Sequence, residues 1–115
     1  MTLDQFYRAA GGTAAEAAPR LGGADATLRF LRLFPLDDSF PQLSEALGRG
    51  DVQAAFRAAH TLKGVAANLG LERLRALASG MTECLRRGEL SGAQARLAET
   101  ETAYRRVLAA LEELE

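Results

Sequence analysis

The chain has 115 residues, a formal net charge of −1, 48% hydrophobic and 25% charged residues, and no Trp. This length makes one domain with a real core, and the dominant Ala, Leu, Arg and Glu are strong helix formers. The near-neutral balance offers no field for nucleic acid or an anionic membrane, and one cysteine excludes an internal disulfide.

No apolar run approaches the roughly 20 residues of a membrane span. The opening "MTLDQFYRAAGG" has an early acid and no hydrophobic core, so it does not read as a signal peptide. A cytoplasmic protein is expected, and the initial Met1 favours a stand-alone one. Cys84 has no CxxC or Cys/His company and is expected to be a small core residue.

Glycines punctuate the chain. Thr2 is placed to cap a short helix ending near Ala10, and Thr13 with Glu16 forms a capping-box pattern before a turn that Pro19 and Gly22 close. Asp25 is expected to cap a helix through about Phe34, with Leu28, Leu31 and Phe34 on one side. "PLDDSFPQ" breaks the chain, after which Ser39 is expected to cap a helix to Leu47 whose first turn tolerates Pro41.

Asp51 then caps a helix from Val52 to about Leu69, with Gly70 suited to the position just past its end. Leu71 to Arg87 forms the next, with Leu74, Leu77, Ala78, Met81, Cys84 and Leu85 on one stripe. Ser91, with Gln94 three residues on, opens a last helix through Leu97, Tyr104, Leu108 and Leu111. No segment alternates with period two, so strands are not expected. Short links between long amphipathic helices predict an all-α, up-down antiparallel four-helix bundle with additional short N-terminal helices. The chain divides into covering helices over residues 1–37 and a bundle over 38–115, within a single domain.

The stretch "AAHTLKGVAANLG", residues 58–70, holds the only histidine, His60, and the only lysine, Lys63. On a helical wheel Val52, Ala55, Phe56, Ala59, Leu62, Ala66 and Leu69 form the apolar stripe, and His60 lies roughly 120° from its middle. His60 therefore faces outward, with Gly64 one turn on and Ala67 two turns on along the same face. Lys63 sits between that face and the core stripe, where its ammonium is expected to reach the imidazole. Gly64 costs about 1 kcal/mol relative to Ala in a helix interior, which packing alone does not explain. Close approach of a partner to His60 does explain it. The hairpin at Gly70 also brings Gly80 level with His60.

Metal binding needs further ligands and is opposed by a cation at i+3, and no Ser or Cys falls in register for a catalytic triad. A neutral imidazole is a good nucleophile near neutral pH, and a phosphoryl group added to it carries about −2 charge that a nearby Lys pairs with. The residues alone leave this reading and an incidental surface histidine both open.

"AHTLKGVAANLG" resembles the signature of histidine-containing phosphotransfer (HPt) domains, in which His is followed by x-Leu-Lys-Gly, small residues and a closing Leu-Gly. The resemblance extends more loosely over about residues 39–115. It implies a bundle whose His60 is the phosphoacceptor, with Lys63 stabilising the phosphoryl oxygens, Gly64 permitting receiver docking, and Ala67 and Arg57 contributing to the docking surface. It implies response-regulator receiver domains and a histidine kinase, hybrid or not, as partners, with no cofactor of the chain's own and Mg²⁺ on the receiver. Val65, where the family often has Ser or Ala, and Gly80 depart from its pattern.

No nucleotide-binding loop is present, so the expectation is a phosphocarrier, not an autonomous enzyme, and a monomer. Two alternatives stand beside it. One is the phosphoacceptor domain of a chemotaxis-type kinase. The other is a helical adaptor bundle in which His60 is idle. A metal or haem bundle lacks a second strong inward ligand.

Overall fold

The computed structural model describes residues 1–114, the side chains of residues 14–16 excepted. It is all-helical, with no strand among the described residues: α1 Leu3–Ala10, α2 Ala14–Leu21, α3 Ala24–Leu33, a 3₁₀ turn Phe34–Leu36, α4 Ser39–Arg49, α5 Val52–Asn68, α6 Glu72–Arg86, α7 Leu90–Ala95 and α8 Leu97–Glu112. No described helix is long and apolar enough to cross a membrane.

The cleanest elements are those with caps written locally. Thr2 and Gln5 form a reciprocal capping box at α1. The Asp51 carboxylate accepts from the Ala54 N–H at 3.0 Å and starts α5. At the other end of α5, Leu71 N–H donates to Ala66 C=O at 2.9 Å and Gly70 N–H to Ala67 C=O at 3.2 Å, with Gly70 at φ +71°. This paired closure satisfies carbonyls that the helix end orphans, and it turns the chain directly into α6.

Several boundaries differ from expectation. Pro19 lies inside α2, whose backbone runs on to Leu21 although the proline has no N–H to give the preceding turn, and Gly22 at φ +98° makes the stop. The expected Thr13–Glu16 box falls on a side chain outside the described residues. Asp25 does not cap α3; Gly23 holds that position, and Asp25 lies in the first turn, where its charge suits the helix N-terminus. Ser39 is the first residue of α4 rather than its cap; its N–H and hydroxyl both donate to the Asp37 carboxylate, and Asp38 stands at the cap. That helix continues past Leu47 to Arg49.

The expected last helix is two helices. Gln94 does not close a box with Ser91; its side-chain amide donates to the Leu47 carbonyl at 2.9 Å, tying α7 to the end of α4. The chain then breaks at Arg96, whose carbonyl accepts from the Thr100 hydroxyl at 2.9 Å.

The core is continuous from Phe6 and Tyr7 of α1, through Leu43 and Leu47 of α4 and Leu62 and Ala66 of α5, to Leu74 and Met81 of α6 and Val107 of α8. Cys84 is buried and unpaired, as expected for a small core residue. Leu31 and Phe34 are buried as the α3 stripe predicts, with Leu28 half-buried. Tyr104 stacks on Phe40 at 4.4 Å between ring centroids and meets Phe34 at 5.8 Å, anchoring the 34–40 segment to α8.

The N-terminal helices are sewn to the α5–α6 turn. The Tyr7 hydroxyl donates to the Leu69 carbonyl at 2.6 Å, and Arg73 N–H to the Gly11 carbonyl at 2.8 Å. A methyl group at Gly12 would fall 2.0 Å from the Gly70 carbonyl oxygen, and one at Gly70 would meet Ala17 Cβ at 2.7 Å. These two backbones touch because neither residue has a side chain.

Candidate functional site

Helix α5 packs most of its length against α4 on one side and α6 on the other. Ala55, Ala59, Leu62 and Ala66 take its buried face, while Val52 and Phe56 of the expected stripe are half-buried at its edge. His60 is exposed, on the outward face where the helical period places it. Gly64 follows one turn on, also exposed, and a methyl group added there would meet nothing within 4 Å. No neighbour inside the protein requires a glycine here. The open space beside the imidazole is a property of the surface.

Lys63 is half-buried, with its stem on the flank of α5, as is Ala67. No hydrogen bond or ion pair of Lys63 occurs among the described residues, so the expected contact between its ammonium and the His60 imidazole is not made in this structure. The ammonium is held close in sequence yet uncommitted, as an incoming anion requires. Arg57 is exposed one turn before His60 and borders two shallow clefts, one towards α4 with Glu45, Arg49 and Thr61, the other towards α6 with Phe56 and Arg86.

Two site residues escaped the sequence reading. The Phe56 ring lies parallel to the His60 imidazole, with centroids 6.0 Å apart and planes at 7°. The Arg86 guanidinium from α6 sits 5.1 Å from the centroid of the same Phe56 ring, while its Nε pairs with Glu83 at 3.4 Å. The i−4 spacing of Phe56 to His60 was the available signal for the first contact. The second depends on how α6 registers against α5, which no local pattern states.

Gly80 does not serve the His60 face. A methyl group there would lie 3.8 Å from Arg96 Nε, an ordinary contact towards the α7–α8 junction. Val65 is half-buried, away from the imidazole. Among the described residues no group of three or more His, Cys, Asp or Glu side chains could hold a metal ion.

The arrangement is an outward imidazole with a clear approach, a cation within one turn and an aromatic ring behind. A family model, the Hpt domain, matches residues 36–115, which spans α4 to α8 and includes the whole His60 stretch. No curated protein and no solved structure matches the chain. By that match the chain belongs to the Hpt domain family, whose members carry phosphoryl groups on histidine in phosphorelay signalling.

Proposed function

We propose that this protein relays phosphoryl groups to and from receiver-domain aspartates through phospho-His60. The observation that carries the reading is the exposed imidazole beside a glycine with nothing within 4 Å of its missing side chain. The unprotonated ring nitrogen attacks phosphorus of an aspartyl phosphate. A P–N bond forms as the P–O bond to the carboxylate breaks, and that electron pair leaves with the aspartate. Lys63 pairs with the phosphoryl oxygens, which gather about −2 charge on the histidine. Gly64, Ala67 and Arg57 belong to the receiver-docking surface. The receiver supplies Mg²⁺ and the acidic pocket, a kinase charges the relay, and the protein works as a cytoplasmic monomer.

In this reading α4, α5, α6 and α8 are the up-down antiparallel bundle that holds His60 out. The tight turn at Gly70 and the packing of α4 on α5 and of α8 on α6 support it.

Incubation with phosphoramidate, a small phosphoryl donor, tests the chemistry by ³¹P NMR and intact mass. One acid-labile phosphate is expected on the wild type and none on His60→Gln. A wild type that stays unlabelled beside a reactive phosphohistidine protein overturns the reading and favours an adaptor bundle.

A further inference from the structure

Among the described residues, the large apolar side chains left exposed are Phe30, Leu33 and Leu36, at 46%, 56% and 80% of their surface. They lie on α3 and the 3₁₀ turn, where Leu31 is buried and Phe34 forms the buried floor beside them. With Val65 and Asn68 of α5 and Leu69 just past its end, they line a cleft of about 410 Å³. Its other polar wall, the Asp37 carboxylate, is engaged by Ser39. Isolated exposed leucines need no explanation; an apolar cleft lined by several does.

The cleft adjoins the phosphoacceptor face. His60, Gly64 and Asn68 are spaced by four along α5 and form one ridge, so Asn68 at the rim of the cleft lies about 12 Å along the axis from His60. Gly64, between them, raises no side chain. A protein docked over His60 with a standard footprint of about 800 Å² covers a disc of roughly 16 Å radius. It reaches the cleft without bending. Phe30 and Leu33 precede the segment that the Hpt model matches, and Leu36 opens it. The matched segment thus carries the histidine and Leu36, while Phe30 and Leu33 of the rim lie before it.

We infer that Phe30, Leu33 and Leu36 form the apolar half of the docking surface for the receiver domain, and give this protein its choice among receivers. The inference rests on the phosphorelay reading. The occupant is a receiver rather than a second copy on grounds of area. The exposed parts of these side chains amount to roughly 300 Å². Two copies packed through them alone bury about 600 Å², half of the ~1,200 Å² at the low end of stable interfaces. Joined to the His60 face, the same patch completes a transient interface.

The test compares wild type with Leu36→Ser and with Leu33→Ser/Leu36→Ser. Each is labelled by phosphoramidate, then assayed against phosphorylated receiver domains from the same genome, with light scattering alongside. Labelling of His60 is expected at the wild-type rate in all three. The kcat/KM for transfer from the receiver that wild type prefers is expected to fall about threefold in the single variant and tenfold or more in the double, and the preference to flatten. Transfer unchanged in both variants overturns the inference and leaves the phosphorelay reading standing. A wild-type dimer that the substitutions dissolve also overturns it, in favour of a second copy. Labelled wild type that exchanges with no receiver overturns both. Leu36 is so exposed that its single substitution tests the idea even if the double variant folds poorly.

Discussion

The ring of Phe56 stacks flat behind the imidazole of His60, 6.0 Å away and inclined by only 7°, with Arg86 against the same phenyl ring. An exposed side chain ordinarily samples several rotamers, and a parallel ring one turn below favours one of them. Phe56→Leu keeps apolar volume at a half-buried site, so a cooperative melt within a few degrees of wild type is expected. Phosphoramidate labelling is expected to slow roughly threefold to tenfold as the imidazole loses its orientation. The His60 ring-proton resonances shift as well, and Phe56→Tyr restores both readouts.

At Gly64 the proposed docking role can be separated from stability. With nothing within 4 Å of its missing side chain, Gly64→Ala removes an interior helix glycine at no steric cost and is expected to stabilise by about 1 kcal/mol, seen as a higher Tm. Gly64→Gln gains a similar amount. On the phosphorelay proposal its long side chain obstructs the receiver, so transfer from a receiver is expected to fall at least tenfold while labelling by the much smaller phosphoramidate persists.

Lys63 has no partner among the described residues, so its removal breaks no internal bond. Lys63→Met keeps the stem on the flank of α5 and deletes the charge. Thermal stability is expected to stay within ±0.5 kcal/mol. Phosphoryl transfer onto His60 is expected to slow about tenfold, a loss of one charge-assisted contact to the transferred group.

Tyr7 sets an alkaline limit. Its burial pushes the phenol up to about 12, with Arg20 pulling weakly the other way. The folded value lies above the unfolded one near 10, so the stability tied to Tyr7 is complete below pH 10 and is lost as pH rises towards 12. Chemical denaturation between pH 8 and 12 should show this decline. Tyr7→Phe flattens it and lowers stability at neutral pH by roughly 1–3 kcal/mol, because the Leu69 carbonyl loses its 2.6 Å donor.

Where a structural signal is local, the sequence spoke clearly. Asp51 and Gly70 bound α5 within a residue of expectation, and the helical period alone turned His60 outward. What distant groups decide was hidden. Gln94 fits a capping box equally well, but the Leu47 carbonyl, 47 residues away, claims its amide, and the single last helix becomes α7 and α8. The helical period puts Phe56 in the core stripe, whereas it sits half-buried at the stripe's edge with its ring parallel to His60. The α3 stripe of Leu28, Leu31 and Phe34 points inward, and Phe30 and Leu33 lie outside it, where a helix with one buried side leaves them exposed.

The near-contact of Gly12 with the Gly70 carbonyl bears on how this module can be moved between proteins. The family match begins at residue 36, but the folded unit does not. A graft of residues 36–115 carries the whole His60 helix yet abandons Phe6 and Tyr7, which are 0% and 1% exposed, and leaves their sockets open to water. It also strips the clamp from the turn that ends α5. The smallest transplantable unit therefore starts at the Thr2 cap, and a chimaera joined at the family's edge should inherit the chemistry on a frayed support.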